Sequence, residues 1–343
     1  MAEASSPGPQ NRRRIVSAGA LAAALAATGF AAGPALASAV GDGSAAGGAR
    51  PTVVLVHGAF ADASSWSPVI ERLEGAGYKV VAPANPLRGL VSDSLYTASV
   101  LKSIDGPVVL AGHSYGGAVI SAAAAGNPNV RALVYVSAFM PEAGETLQGL
   151  QARFAPSDLG SAQRLVPYQD GSGSGTDVYI RDSVFRKVFA ADLPAARTRL
   201  MAAEQRPIAL RAFTDKAPGA AWRTIPSWAL VAADDHAINP ALERFQAKRA
   251  GSHTTEVASS HVAMLSHPDT VARMIREAAD STASDAASGG TASGTGERPS
   301  LADTGPRDKL LTSVGGVASL ALVAGAALVA AMRQYRQYRR CRR

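Results

Sequence analysis

From Pro51 onward the chain alternates short apolar runs with amphipathic stretches, and that alternation sets its architecture. Strands are expected at about 52–57, 78–83, 107–112, 130–137, 227–233 and 254–258, with helices between most of them and a last helix at about 267–280. A βαβα order of this kind implies an α/β fold with a mostly parallel sheet covered by helices on both faces. Functional residues then belong at the carboxyl ends of the strands. The regularity breaks once. Between the strand ending near Ser137 and the one starting near Ser227 lies far more chain than a crossover helix needs. Its first part reads as loop, with Pro156, Pro167 and a flexible Asp170-Gly-Ser-Gly-Ser-Gly-Thr176, while Asp182 to Ala217 reads as helical with a break at Pro194. Its apolar content is modest for an independent core, so it is expected to form a lid over the strand ends, at about 139–225.

The two ends follow different patterns. Arg12-Arg13-Arg14, an Ala-rich apolar run from Ile15, Gly33-Pro34 and Ala35-Leu36-Ala37-Ser38-Ala39 have the order of a secretory signal peptide, expected to span 1–39. Cleavage after Ala37 is the alternative, and the arginines also suit a twin-arginine route. Residues 40–50 are small and polar and read as a linker. At the other end, residues 281–300 have the Ser-, Thr- and Gly-rich composition of a disordered spacer. Residues 310–332 carry no charge, long enough for a transmembrane helix, and Arg333, Arg336, Arg339, Arg340, Arg342 and Arg343 follow.

The charge distribution removes one class of function. The chain has 343 residues and a net charge of +7. Residues 1–39 hold three Arg and one Glu, and residues 305–343 hold eight Lys or Arg and one Asp, which leaves −2 for residues 40–304. The basic character belongs to the ends, and nothing in it argues for a nucleic-acid partner. The one cysteine, Cys341, lies in the basic tail, so the part between the ends has no disulfide or thiol chemistry. No His, Asp and Glu grouping has metal-ligand spacing, and neither metal nor cofactor is expected.

Candidate chemistry centres on Val108-Val-Leu-Ala-Gly-His-Ser114-Tyr-Gly-Gly117, where an expected strand turns directly into an Ala-rich helix. A serine there, with Gly112 and Gly116 two residues to either side, has the setting of a nucleophile elbow, whose backbones approach too closely for a Cβ. A serine hydroxyl needs a base, and the base an acid that holds its tautomer. In the chain order Ser, Asp, His, the acid is Asp234 or Asp235 after one strand and the base is His261 after the next. Of the other histidines, His113 should point away from the nucleophile, His57 sits at the first strand end, His253 and His267 read as solvated, and His236 follows the acid too closely. The oxyanion needs N–H donors, best supplied by Tyr115 and Ala59, with Phe60 as fallback for the second.

Residues 51 to about 280 resemble the α/β-hydrolase superfamily, in particular its methylesterase and hydroxynitrile-lyase-like branch. The matching segments are Val56-His57-Gly58-Ala59-Phe60 with Ser65-Trp66, Gly112 to Gly117, Val134-Tyr-Val-Ser-Ala-Phe-Met-Pro141, Ala233-Asp-Asp235 and Ser260-His261-Val262-Ala263-Met264-Leu265. The resemblance implies the α/β-hydrolase fold with an inserted lid, Asp235 as acid in preference to Asp234, His261 as base, and Ala59 and Tyr115 as oxyanion donors. Hydroxynitrile lyases of this branch carry a Lys after the catalytic His and a Thr in the oxyanion loop, where this chain has Val262 and Ala59. Dehalogenases and epoxide hydrolases place Asp where this chain has Ser114. The C-terminal Leu301-Ala302-Asp303-Thr304-Gly305, with its apolar span and basic tail, resembles a cell-wall sorting signal, which implies sortase cleavage between Thr304 and Gly305 and transfer to a wall precursor, or a membrane anchor if unprocessed.

The expected protein is an exported, wall-anchored serine esterase, an enzyme of the carboxylic ester hydrolase class. Phe60, Phe139, Met140 and lid residues are expected to wall a pocket for a small or medium apolar acyl group. Because His261 accepts a proton only when neutral, activity should fall in acid. The alternatives are a non-catalytic hydrolase-like ligand-binding surface protein and, among enzymes, cofactor-free perhydrolase or hydroxynitrile-lyase-like activity.

Overall fold

The middle of the central sheet is built from apolar runs that have no solvent face. In the computed structural model, which describes residues 50–171 and 173–288, β1 (Thr52–Val56), β3 (Val108–His113) and β8 (Ser227–Ala232) are buried along their whole length. Strands covered on both faces are what continuous Val, Leu and Ala runs specify. With β2 (Val80–Val81), β4 (Val130–Val136) and β9 (His253–Val257) they form a six-stranded sheet in the order β2-β1-β3-β4-β8-β9, parallel at every pairing. All six expected strands are present. The second is the shortest, two residues against the six expected, and it pairs only with β1. At the opposite edge β9 is half exposed, and His253 stacks on Trp228 with 4.8 Å between ring centroids.

Helices cover the sheet as the alternation requires. Helix α1 (Ser67–Gly75) packs on the last described helix, α10 (Pro268–Ser288), which also lies against β3, β4 and β8, while α2 (Leu90–Lys102) packs on α3 (Tyr115–Ala123). Helix α8 (Pro240–Ala250) packs on β8. It starts cleanly because Asn239 accepts from the Ala241 N–H and Pro240 takes the first helical position. Helix α10 continues to Ser288, past the boundary expected at 280. The change to spacer composition at 281 is therefore not a change of conformation as far as Ser288.

The insertion differs from expectation in its first half. Residues expected to be a flexible loop form an antiparallel hairpin, β5 (Gln163–Asp170) and β6 (Gly173–Ile180), with β7 (Ile208–Ala209) paired to the second strand. Tyr168 and Gly175 are cross-strand partners, and a Cβ on Gly175 would lie 2.6 Å from the Tyr168 ring. That glycine is a surface on which the ring lies, and composition alone reads it as flexibility. Pro167 is tolerated because β5 is an edge strand. The second half agrees with the sequence as far as Glu204, whereas the rest of the stretch expected to be helical, to Ala217, holds β7 and a 3-10 turn at Leu210–Phe213. Helices α6 (Asp182–Phe189) and α7 (Ala195–Glu204) flank the break at Pro194. Two shorter helices, α4 (Leu147–Gln151) and α5 (Asp158–Ala162), precede the hairpin, and α9 (Ala263–Ser266) precedes α10.

The signal peptide expected at 1–39, linker residues 40–49, the spacer beyond 288, the transmembrane helix expected at 310–332 and the Thr304–Gly305 cleavage site lie outside the described residues. Among the described residues no helix is long and apolar enough to cross a membrane.

Close backbone approach at the start of α3 makes a specific demand on sequence. A Cβ on Gly112 would come within 2.6 Å of the Gly116 carbonyl oxygen, and one on Gly116 would overlap the Val56 carbonyl oxygen. Gly116→Ala is expected to destabilise the fold by roughly 1–3 kcal/mol or more in urea unfolding. Gly75→Ala, at the end of α1 where a Cβ meets nothing within 4 Å, should be neutral or stabilising by up to about 1 kcal/mol. Equal effects at the two positions would contradict the close-approach argument.

Candidate active site

Because the sheet is parallel, β1, β3, β8 and β9 all end at one edge, and Ala59, Ser114, Asp235 and His261 each follow one of them by a few residues. Ser114 stands between β3 and α3 with φ 54° and ψ −122°, a conformation that L-residues rarely adopt. Its backbone is held on both sides. The Ser114 N–H donates to Val136 O at 3.2 Å, and its carbonyl accepts from the N–H groups of Gly117 and Phe139 at 3.0 and 3.1 Å. The Oγ makes no hydrogen bond among the described residues. Nucleophile–base hydrogen bonds often tighten only when substrate is bound, so this leaves the chemistry open to it.

His261 and Asp235 are joined directly. The His261 Nδ1–H donates to Asp235 Oδ2 at 2.5 Å, and both side chains are almost wholly buried. The other carboxylate oxygen, Asp235 Oδ1, accepts from the N–H groups of Ala237 and Ile238 at 2.6 and 2.9 Å. That fixes the rotamer of Asp235 and orients the His261 ring, with a proton on Nδ1. Asp234 is exposed, and Asn239, not Asp234, caps the following helix.

Ala59 and Tyr115 are buried, and neither N–H has an acceptor among the described residues. Phe60 cannot substitute as a donor, because its own N–H is committed to Arg206 O at 3.0 Å. The Tyr115 side chain points away from this edge, donating its hydroxyl to Asp93 at 2.7 Å, and burial followed by the Asp93 charge pushes its phenol well up.

His113 departs from expectation. It does not turn away from the site. Its Nε2–H donates to the His261 carbonyl at 2.9 Å, and the two rings lie 4.7 Å apart. His57 is held at both nitrogens, Nδ1–H donating to Gly58 O at 2.9 Å and Nε2 accepting the Asn85 N–H at 3.0 Å. Burial holds His57 down at about 4. Burial, then the neighbouring His261, holds His113 well below the ordinary histidine value.

The insertion between β4 and β8 reaches this cluster through a residue that the sequence did not single out. Phe189, at the end of α6 and fully buried, lies with ring centroids 5.1 Å from His261, 6.3 Å from His113 and 6.0 Å from Phe60. Its only sequence signal is the strong apolar face of α6, which it shares with Phe185 and Val188. A polar tie accompanies it. Asp192, in the turn after α6, accepts from Ser260 N–H and Oγ–H at 3.0 and 2.5 Å and from Ser259 Oγ–H at 3.2 Å. The lid is thereby fastened to the residues immediately before His261.

A cavity of about 220 Å³ opens beside this edge, between the Phe60–Ser65 loop and α7, and is lined by Phe60, Ser65, Arg197, Leu200, Met201 and Leu265. Phe139 and Met140, expected in the pocket wall, do not line it. Both are buried, with the Phe139 N–H on Ser114 O and the Met140 N–H on Gln246 Oε1. A larger cleft of about 470 Å³ lies by the C-terminal end of α3, opposite the elbow, and brings no part of this cluster to a ligand.

An elbow serine, a buried His–Asp pair and two free N–H groups on one edge of a lidded parallel sheet define a hydrolase of the nucleophile-elbow type. A model of the alpha/beta hydrolase family matches residues 53–274, and the chain belongs to that family. A pyrethroid hydrolase from Sphingobium wenxiniae is 30% identical over 75% of this chain and 97% of its own length. Methylesterase 8 of Arabidopsis thaliana is 27% identical over 56% of this chain and 75% of its own. Among solved structures, polyneuridine aldehyde esterase has the same fold, with a TM-score of 0.58 at 22% identity over 66% of this chain and 98% of that one. The chain is a carboxylic ester hydrolase.

The two depressed histidines generate a prediction. Their imidazoles stay neutral in the fold but charge freely once unfolded, so below the ordinary value near 6.5 the unfolded chain binds more protons. Stability should be full above that value and fall as pH drops towards about 4, by about 3 kcal/mol from His57 alone. Urea titrations across this range should show the decline, and His57→Gln should flatten it. An unchanged slope in that variant would count against the argument.

Proposed function

We propose that the protein hydrolyses small or medium carboxylic esters through an acyl-enzyme, with Ser114 as nucleophile, His261 as general base and then acid, and Asp235 orienting His261. Ser114 Oγ attacks the ester carbonyl while His261 Nε2 takes its proton, and the N–H groups of Ala59 and Tyr115 receive the developing oxyanion. His261 then protonates the departing alcohol. Water, activated by the same nitrogen, releases the acid. The observation that carries this reading is the buried Asp235–His261 bond, set on the same sheet edge as the strained Ser114. Hydrolases named for a pyrethroid and for carbendazim are among the relatives, which favours esters with sizeable apolar parts. Phe189 over His261 and the cavity beside Phe60 favour the same.

The ends of the chain support a place of action outside the cell. On this reading residues 1–39 direct export, and sortase joins Thr304 to a wall precursor, with residues 310–332 holding the chain in the membrane beforehand. Cell fractionation should find the wild-type protein in the wall and a Thr304→Ala variant in the membrane; equal wall recovery of both would reject sortase attachment.

Two measurements test the chemistry. A fluorophosphonate probe should label the wild type and not Ser114→Ala, whose kcat on p-nitrophenyl esters should fall by roughly 10⁴-fold or more; a wild type that fails to label would sink the esterase reading. Phe189→Ala should shift preference towards longer acyl chains by about tenfold or more in relative kcat/KM, and an unaltered chain-length profile would show that Phe189 does not bound the substrate.

A further inference from the structure

Glu243 sits in the first turn of α8, and its carboxyl turns inward to the acid of the proposed triad instead of out to solvent. The residue is 3% exposed. One oxygen, Oε2, accepts the Ala232 N–H at 3.2 Å, while Oε1 is buried with no partner among the described residues. Its side chain meets that of Asp235, whose carboxylate is the charge acting on it most strongly.

Among the described residues Glu243 makes no ion pair, and Asp235 makes one only, with His261. Arg244, the next residue on α8, is turned to the surface and engaged with Glu256 of β9. His261 lies against Asp235 Oδ2 and contributes its proton there. Two buried carboxyls that meet in this way cannot both be ionised, so one keeps a proton.

The distribution of donors decides which one keeps it. Asp235 receives three N–H groups, from Ala237, Ile238 and His261, and each stabilises the ionised form. Glu243 receives one. Burial first, and the Asp235 charge second, push the Glu243 carboxyl well above the usual carboxylate range.

We propose that Glu243 is a positioning residue, a neutral carboxylic acid whose Oε1–H donates to the Asp235 carboxylate and adds a fourth member behind Ser114, His261 and Asp235. The donated hydrogen bond holds Asp235 in its rotamer and draws charge away from the oxygen that faces His261. It thereby moderates the basicity of the imidazole. No step of hydrolysis moves this proton. The proposal rests on the triad reading for its kinetic consequences but not for the protonation state itself.

The test separates these two parts. Infrared spectra at mildly alkaline pH should show a buried protonated-carboxyl band in the wild type that is missing in Glu243→Gln; its absence from the wild type would overturn the proposal, whether or not the protein turns over esters. In kinetics, Glu243→Gln keeps a neutral N–H donor and should remain within about threefold of wild-type kcat/KM. Glu243→Leu removes the donor and should lower kcat about tenfold or more with little change in KM, and move the acid limb of the pH profile upward. A leucine variant with wild-type kcat and acid limb, or a glutamine variant as impaired as the leucine one, would overturn it. Fluorophosphonate labelling of Ser114 in each variant reports separately on the esterase reading.

Discussion

The structure depends on one close approach, where β3 turns into α3 beneath the end of β1. Gly112 and Gly116 let the two backbones meet, and the contact lifts Ser114 into a conformation costing of order 1–3 kcal/mol. Hydrogen bonds from the neighbouring strand end hold it there, through Val136 and Phe139. The strain is not isolated. Phe60 after β1 and Ser137 after β4 also have positive φ, so three of the four described non-glycine residues in that region lie at strand ends on this edge. The sheet is regular up to its carboxyl edge, and the departures collect where the chemistry is proposed.

Around that turn the groups are arranged by burial more than by surface charge. His57 and His113 are neutral because they are buried, and each is hydrogen-bonded in a way that suits one neutral tautomer. The exposed ion pairs elsewhere, such as Arg72 with Asp269, add little by comparison. The lid closes the site with an aromatic ring over His261 and a carboxylate fastened to the residues before it. Lid and base loop are therefore one packed unit, and a change in either would be felt by the other.

Much of this was legible in the chain. Parallel strands covered on both faces need continuous apolar runs, so the positions of the inner strands followed from hydrophobicity. The elbow was legible because two glycines around a serine satisfy a local steric demand. Asp235 and His261 were chosen from chain order and resemblance, and they meet at 2.5 Å. The hairpin at 163–180 was misread because glycine means either freedom or contact, and only the Tyr168 ring across the strand decides between them. His113 was misread because a residue next to the nucleophile in sequence can still turn its ring to a base far along the chain.

What the sequence determined by itself is therefore local or periodic: the strands, the turn that carries Ser114, and the order in which acid and base follow it. The first two depend on residues within a few positions of one another, and the third on the chain order that the resemblance implies. The tertiary structure alone decided which side chains close over that turn, namely Phe189 and Asp192 from the lid and Glu243 behind Asp235. Their roles arise from contacts between segments distant in the chain, where burial removes the solvent that would otherwise satisfy a ring or a carboxyl.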